Sequence, residues 1–320
     1  MKLKVQIAGY LLAMLLAVPM LLNAQRTVIE EVPVTFSDTT WYDKGFDFFI
    51  GGGMYMGNSY NAKYYSGSNQ NECNLDYIFS NEYWRREMME AVVELYPYVS
   101  QSDVLSYDEL DILEMDVRYK VKTFLNLGVR TKLRDGWGIS LSYSFCRLSS
   151  SHKVLLEYSN VPSLEKKPEL TLYAKEDRSL IDLSMSYLFS KVHKVVKPFV
   201  EVGAQFTYAK AKQFDAILLN KDNVEMRSWT MLDPYNGQSY TPGMIEYDAI
   251  YGGPGFGFSA AAGIKFAFNN IVSIDPTFYC SMSKFGIFPG KNKGGSNEFG
   301  FNYGAVVRIV MTDFFVNRNN

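Results

Sequence analysis

Hydrophobic and polar side chains alternate with a period of two along much of the chain. In the clearest segment, 137–146, Trp, Ile, Leu, Tyr and Phe occupy one face and Gly, Ser and Cys the other. This alternation is typical of a β-strand with one apolar and one polar side. We predict strands in the segments that show it, namely 45–58, 119–133, 137–148, 179–190, 197–212, 255–268, 271–285 and 300–313.

The connections between these predicted strands alternate strictly between long and short. The long loops are 59–118, 149–178, 213–254 and 286–299, and the short turns are 134–136, 191–196 and 269–270. Within the second long loop, 153–158 and 169–174 can pair with each other and continue the sheet. Asp135-Gly136 and Asn269-Asn270 suit the positive φ angles of tight hairpin turns. All short turns therefore fall at one end of the sheet and all long loops at the other, which is the arrangement of outer-membrane barrels.

The apolar faces are expected to point outward, because a lumen enclosed by eight strands is too narrow for so many rings. Aromatic residues also gather at both strand ends, as they do at the two membrane–water interfaces. Near the turns lie Trp41, Tyr42, Phe46, Trp137, Phe189, Phe199, Phe268, Phe314 and Phe315, and near the loops Phe206, Tyr208, Phe256, Phe258, Phe285, Phe299 and Phe301. A soluble, secreted β protein is the alternative.

The first 24 residues read as a secretory signal peptide. Lys2 and Lys4 precede an apolar stretch over 7–22, and Leu22-Asn23-Ala24 ends it with a small residue. We predict a periplasmic segment over 25–44 and the barrel over 45–315. The complete fold prediction is all-β, an eight-stranded antiparallel up-and-down transmembrane β-barrel with long extracellular loops and one loop helix.

Composition narrows the functional classes. Hydrophobic residues make up 47% of the chain although its mean hydropathy is −0.12, and no later run reaches the ~18 to 20 apolar residues of a spanning helix. The net charge of −2 argues against a nucleic-acid partner, and 2 histidines leave little for acid–base or metal chemistry. We expect no cofactor, no metal site and no disulfide among Cys73, Cys146 and Cys280.

The polar strand faces place charges of both signs inside the predicted barrel. We expect a lumen charge network of Lys122, Arg130, Asp182, Glu201, Lys265, Asp275 and Arg308, with Lys120 and Lys132 on the same face. Charges withdrawn from water need partners, so this network would fill the lumen, and a narrow ion path is the alternative. Pro276 falls inside a predicted strand, where we expect a bulge. We expect the run Gly51-Gly52-Gly53 to allow sharp coiling of the strand or close approach of the backbone.

The first long loop contains the single predicted helix. Ser80 or Asn81 can cap this helix, and Pro97 ends it. Its apolar residues recur at helical spacing, namely Trp84, Met88, Ala91, Val92 and Leu95. This stripe either packs as a lid or binds a partner. Tyr and Asn side chains in the loop suit glycan or protein contacts, although they would also simply order the loop. The candidate ligand- or partner-binding residues are Tyr64, Tyr65, Trp84 and Trp229.

With its signal peptide, eight strands, alternating connections and terminal Phe314-Phe315, the chain resembles the small outer-membrane β-barrel proteins, the family of OmpA-like eight-stranded barrels. The tail after Phe315 departs from that pattern. The resemblance implies residence in the cell outer membrane, contact with outer-membrane lipid and one of several activities.

We expect a non-enzymatic barrel whose surface loop cap serves binding, structural or assembly roles toward a surface glycan or envelope protein. One alternative is a small, porin-like channel or the membrane component of a secretion or uptake complex. A second is a lipid-modifying enzyme that uses His152 beside Ser149-Ser150-Ser151.

Overall fold

The computed structural model describes residues 45–71, 73–101, 105–158, 167–189, 196–220, 222–232, 252–268, 271–285 and 299–312. The predicted signal peptide, the segment 25–44, the turn at Asn269-Asn270 and the pair Phe314-Phe315 lie outside the described residues.

The described chain consists of ten strands and four short α-helices. The strands are β1 (Gly45–Met56), β2 (Leu105–Tyr107), β3 (Lys122–Lys132), β4 (Trp137–Tyr158), β5 (Glu169–Leu188), β6 (Val196–Leu219), β7 (Glu225–Thr230), β8 (Gly252–Ala267), β9 (Val272–Phe285) and β10 (Gly300–Thr312). The helices are α1 (Ser59–Ala62), α2 (Asp76–Phe79), α3 (Glu82–Leu95) and α4 (Glu109–Glu114), with 3₁₀ turns at Lys63–Ser66 and Arg134–Gly136.

Eight of these strands pair in a closed antiparallel ring. Around the ring the order is β1, β3, β4, β5, β6, β8, β9 and β10, and β10 pairs with β1 again. The predicted eight-stranded up-and-down barrel is therefore confirmed. The short strands β2 and β7 lie outside the ring and pair with β4 and β6.

Side chains alternate between the outside and the inside of the barrel as predicted. On β5, Leu183 is 52% exposed whereas Asp182 is 6% exposed, and on β8, Phe258 is 61% exposed and Ser259 6%. Exposed rings occupy both ends of the outer surface, for example Trp137 near a turn and Phe206 near the loops. Phe199 was expected in the turn-side belt, but it is buried and points into the lumen.

The wall of β4, β5 and β6 rises well beyond the predicted strand ends. Residues predicted as loops continue the strands, with Val154 opposite Leu170 and Leu172 opposite Ala216. The predicted extension of the sheet over 153–158 and 169–174 is confirmed, whereas loop status for 149–152, 175–178 and 213–219 is wrong. In this upper wall most apolar side chains, such as Val154, Leu156 and Phe214, face inward, whereas Leu155 is 45% exposed.

The first long loop folds against the inner face of that wall. Its buried side chains, which include Ile78, Met88, Val92 and Ile112, share one apolar core with wall residues such as Phe214. We call the loop 59–118 together with the upper wall the cap. The predicted helix is confirmed as α3, where the Asn81 side chain accepts hydrogen bonds from the amides of Tyr83 and Trp84. Helices α1, α2 and α4 were not predicted.

Two backbone expectations have different outcomes. The expected bulge at Pro276 is wrong, because β9 keeps one register with β10 from Val272 to Ser283. The pairing of β9 with β8 is interrupted at residues 275 and 276 and then continues in the same register. The expected close backbone approach at Gly51 is confirmed, since a β-carbon there would lie 2.7 Å from the Val307 carbonyl oxygen.

Candidate functional site

The lumen is crossed by layers of paired charges, beginning at the end that carries the short turns. Lys132 Nζ lies 3.0 Å from Asp47 Oδ1, and Lys265 Nζ lies 3.5 Å from Asp47 Oδ2. All three side chains are at most 8% exposed. Asp47 and Lys132 lie on the neighbouring strands β1 and β3, whereas the pair with Lys265 of β8 reaches across the lumen.

The next layer is centred on Glu201. Arg130 donates to its Oε1 at 2.5 Å and Arg308 donates to its Oε2 at 2.8 Å, so the two guanidinium groups share one carboxylate. Arg130 Nη1 also lies 3.8 Å from Asp275 Oδ2. The Phe49 ring packs against both guanidinium groups, and its centroid lies 5.9 Å from Arg130 Cζ and 4.9 Å from Arg308 Cζ. Charge and ring contacts together occupy this cross-section.

Amides, hydroxyls and rings fill the middle of the barrel. Gln205 donates to Asp182 Oδ1 at 2.9 Å, and Tyr279 donates to the same oxygen at 3.4 Å. Above them, the rings of Tyr55 and Phe124 stack with centroids 5.5 Å apart, and Tyr279 lies 6.0 Å from Phe124. Toward the cap, the side chains that fill the lumen therefore change from charged to aromatic.

Six of the seven predicted lumen charges lie together in these layers. Lys122 does not, because it is partly exposed at the start of β3 and forms no ion pair with any residue that the structure describes. Lys132, expected on the inner face, also belongs to the layers. Sequence reasoning missed Asp47, although its alternation with Phe46 and Phe48 marks it as inward-facing.

A buried hydrogen-bonded junction, which we call the seal, joins the barrel to the cap. Glu176 Oε1 accepts from Arg178 Nε at 2.8 Å and from Nη2 at 2.6 Å. Its Oε2 accepts from the hydroxyls of Tyr65 at 3.0 Å and Tyr119 at 2.6 Å. Burial and the Glu176 carboxylate raise the pKa of both tyrosines well above its usual value, so both remain hydrogen-bond donors.

Asparagines extend the seal to the far side of the ring. Arg178 Nη1 donates to Asn302 Oδ1 at 3.4 Å, and the same oxygen accepts from Asn58 N and Nδ2, each at 3.0 Å. Asn302 donates in turn to Ser283 Oγ at 2.9 Å. The seal thus links β5, β9 and β10 with the residues that open the first loop. It was not predicted, because Glu176 and Arg178 precede the predicted start of their strand.

Little free volume interrupts these layers. One cavity beside Asp182, Glu201 and Arg308 measures about 10 Å³, and a second near Lys132 and Phe199 measures about 20 Å³. A water molecule requires ~10 to 15 Å³ on this scale, so each cavity has room for about one.

Three of the four candidate partner-binding rings lie inside the cap. Tyr64 is 6% exposed, Tyr65 is fully buried and Trp229 is 3% exposed, while Trp84 is partly buried against the cap core. Tyr65 holds the seal, and Trp229 donates to Glu87 of α3 at 3.3 Å. These rings pack the cap, and their binding role stays a prediction. Tyr60 and Tyr83 are the exposed tyrosines of the described loop.

His152 does not form the pair with serine that hydrolysis would need. Its Nε2 lies 3.1 Å from the Ser66 carbonyl oxygen, so that nitrogen carries the proton. Burial lowers the pKa of His152, which leaves the ring neutral near pH 7. Within the described ranges no serine hydroxyl hydrogen-bonds to this ring, and no group of His, Cys, Asp or Glu could hold a metal ion.

The closed ring, its apolar outer belt and its polar interior define an integral membrane β-barrel, a class that belongs to outer membranes. Among the described helices, none has the length and apolar character needed to span a bilayer.

Comparison with solved structures finds Ail, the attachment invasion locus protein of Yersinia pestis, with 10% identity over 84% of this chain and 98% of that chain (TM-score 0.34). Neisserial surface protein A matches with 9% identity over 84% of this chain and 97% of its own (TM-score 0.34). OprG from Pseudomonas aeruginosa matches with 11% identity over 85% and 95% (TM-score 0.33). No family model and no curated protein matches the chain. The architecture itself rests on this chain's own strand pairing.

Proposed function

We propose that this protein is a non-conducting, non-enzymatic outer-membrane barrel that displays a folded cap at the cell surface for contact with a partner. The observation that carries the proposal is the seal. Glu176, Arg178, Tyr65 and Tyr119 are buried and mutually hydrogen-bonded where a channel would have to open.

The layers beneath the seal support the same function. Ion passage would require a continuous file of water along the lumen, and the two cavities found beside the charge layers of the described residues each have room for about one molecule. Separating Glu201 from Arg130 and Arg308 would leave buried charges without partners, which costs several kcal/mol. The folded barrel thus has no low-cost route to an open lumen.

Planar-bilayer conductance tests this part of the proposal. We expect the folded wild-type protein to show no steady channel activity. A variant with Arg130→Ala, Glu201→Ala and Arg308→Ala empties one layer and should stay closed, because the seal above that layer is intact. Adding Glu176→Ala and Arg178→Ala removes the seal as well and should produce small openings. Steady wild-type conductance that persists after deletion of the first loop would instead make the protein a small channel.

The cap supports a role at the surface. Its buried side chains form an apolar core that continues to Tyr55, Phe124 and Tyr279 of the barrel, so the cap is a folded unit with a defined outer face. Exposed rings on that face, Tyr60 at 45% and Tyr83 at 60%, are suited to stacking on a sugar or packing on a protein. We propose that these two tyrosines take the role first assigned to Tyr64, Tyr65 and Trp229.

An array of envelope oligosaccharides tests the glycan form of this role. Binding by the wild type that is lost in Tyr60→Ala with Tyr83→Ala, but kept in Tyr208→Ala on the lipid-facing belt, would support it. If binding is equal in all three proteins, the cap tyrosines are not the contact. If no oligosaccharide binds the wild type, the glycan form is rejected and a protein partner is the form left.

A further inference from the structure

The outer surface of the barrel changes from apolar to basic where β4, β5 and β6 rise above the aromatic belt. Arg147, Lys175, Lys210 and Lys212 all lie on the outer face of these adjacent strands. We call these four residues the basic strip. Asp177 stands between Arg147 on β4 and Lys210 on β6 in the strand register.

The basic strip lies at the height of lipid headgroups. On β6, the lipid-facing side chains Phe206 and Tyr208 are 59% and 44% exposed, and Lys210 follows two residues later on the same face. Two residues of a strand tilted by ~40° rise about 5 Å along the barrel axis. The headgroup region adds ~5 to 8 Å to each side of the hydrocarbon core, so the backbone of Lys210 falls within it. Lys175 and Lys212 lie about one such step higher, and their long side chains can reach down to the phosphates.

Most of the positive charge in the strip is not neutralised by the protein. Arg147 is held by Asp177 through hydrogen bonds of 2.6 and 3.1 Å. Within the described ranges, Lys175, Lys210 and Lys212 form no ion pair. The other nearby carboxylate is that of Asp215, which lies higher on the wall and accepts from Gln213 at 2.5 Å.

A β-bulge gathers the lysines. The register between β5 and β6 shifts between Lys175 and Glu176, where Glu176 is opposite Ala211 and Lys175 is opposite Gln213. Lys212 is therefore the extra residue, and it projects outward beside Gln213 while Ala211 and Phe214 on either side point inward. An extra outward residue at this point increases the density of charge next to Lys175.

The remaining rim differs. At the same end of the barrel, the outward positions of β1, β8 and β10 carry apolar or aromatic side chains, namely Met54, Met56, Phe256, Phe301 and Tyr303. Of the other two strands, β9 contributes Lys284, and the exposed Lys120 precedes β3 beside Ser149 of β4, next to the strip. Positive charge is thus concentrated on one side of the barrel and not spread evenly around it.

From this placement we propose that the basic strip binds the phosphate groups of anionic lipids in the outer leaflet. Ammonium groups at headgroup height attract anionic lipid, and several close together select a headgroup with more than one negative charge. The proposal rests on the membrane placement of the barrel and is independent of whether the lumen conducts.

Native mass spectrometry of the full chain, folded in a neutral detergent, tests this binding. The probes are phosphatidic acid, whose phosphate monoester carries up to two negative charges, zwitterionic phosphatidylcholine and inorganic phosphate. We expect phosphatidic acid to bind at least tenfold more tightly than either other probe. Changing Lys175, Lys210 and Lys212 together to Gln should lower its affinity at least tenfold.

Matched variants make the result specific. Lys63→Gln, Arg85→Gln and Lys284→Gln together remove the same charge outside the strip and should leave the affinity within about twofold. Lys175→Arg, Lys210→Arg and Lys212→Arg should retain binding. The heat-dependent gel shift establishes that each variant has folded. An equal loss in both Gln triples would overturn the proposal, as would equal binding of phosphatidylcholine. Competition by inorganic phosphate at the same concentration as lipid would assign the strip to free anions and also overturn it.

Discussion

Single residues hold this barrel together across its interior, and they do so in pairs of opposite charge. Glu176 and Arg178 are only two positions apart on β5, but their partners Tyr65, Tyr119 and Asn302 come from distant parts of the chain. A buried ion whose partner is removed keeps its desolvation penalty and loses the compensating contact. The free energy of unfolding should therefore fall more when either Glu176 or Arg178 is replaced alone than when both are replaced together.

Replacing Arg178 tests this dependence. We expect Arg178→Met to lower the free energy of unfolding of the cap by ~3 to 5 kcal/mol, because Glu176 is left buried and charged. Combining it with Glu176→Leu should recover part of that loss. Urea unfolding of the reconstituted protein, followed by tryptophan fluorescence, measures both, since Trp229 is buried in the cap.

An exposed ion pair serves as the control. Arg147→Met breaks the hydrogen bonds to Asp177, but Arg147 is 61% exposed and its loss should change the free energy by no more than ~1 kcal/mol. Equal effects of Arg147→Met and Arg178→Met would show that the buried seal has no special weight.

His152 gives the cap a predictable dependence on pH. Burial lowers its pKa in the folded cap, whereas in the unfolded cap it titrates near ~6.5. The unfolded state therefore binds a proton first, and the stabilisation that is present above pH ~6.5 is lost as the pH falls below it. Protease cleavage of the cap should be faster at pH 5.5 than at pH 7.5.

His152→Gln separates this effect from general acid sensitivity. Its amide can still donate to the Ser66 carbonyl oxygen but does not titrate, so the difference in cleavage rate between the two pH values should shrink. The role of His152 would be refuted by an unchanged pH dependence in that variant.

At the scale of elements, the strands show why their membrane part was predictable and their upper part was not. On β5 the apolar residues at 181, 183 and 185 face lipid, whereas above the membrane those at 170, 172 and 174 face the cap core. Apolar side chains thus change face where the surroundings change from lipid to water. In the sequence of β5, the apolar residues therefore shift from even to odd positions, and this break in the alternation favours a loop before residue 179.

The bulge on β6 conceals this change further. Apolar residues occupy even positions on both sides of the bulge, from Val200 to Tyr208 and again from Phe214 to Leu218, with Lys210 and Lys212 between the two runs. The extra residue Lys212 nevertheless moves the even positions from the outer to the inner face, and Phe214 and Leu218 are fully buried. Alternation alone cannot reveal a bulge, because it shows which residues share a face of the strand but not whether that face points inward or outward.

Deleting Lys212 tests the role of the bulge. Without it, Phe214, Ala216 and Leu218 would turn outward and the cap would lose a wall of its core. We expect the cap to become sensitive to trypsin while the barrel below keeps its heat-dependent gel shift. Lys212→Gln retains the bulge and should leave the cap resistant. A resistant cap in the deletion variant would contradict the assigned register.

At the scale of the whole molecule, two interiors of opposite character are stacked along one wall. The barrel is apolar outside and polar inside, and the cap has an apolar core, with the seal between them. Strand number, the described turn at 134–136 and six inward charges could be predicted, because each depends on local sequence. The cap core and the seal could not, because they depend on contacts such as Tyr65 with Glu176 that join residues 111 positions apart.

Lipid contact along β5 tests the central claim, that this chain is a membrane barrel with its apolar face toward lipid. Single cysteines at 183, 184, 185 and 186, in a chain without its native cysteines, would carry a fluorophore in vesicles that contain a lipid-borne quencher. We predict strong quenching at Leu183 and Met185 and weak quenching at Ser184 and Ser186, a period of two in the phase of the outward face. Weak quenching at all four positions, or the opposite phase, would contradict the membrane barrel.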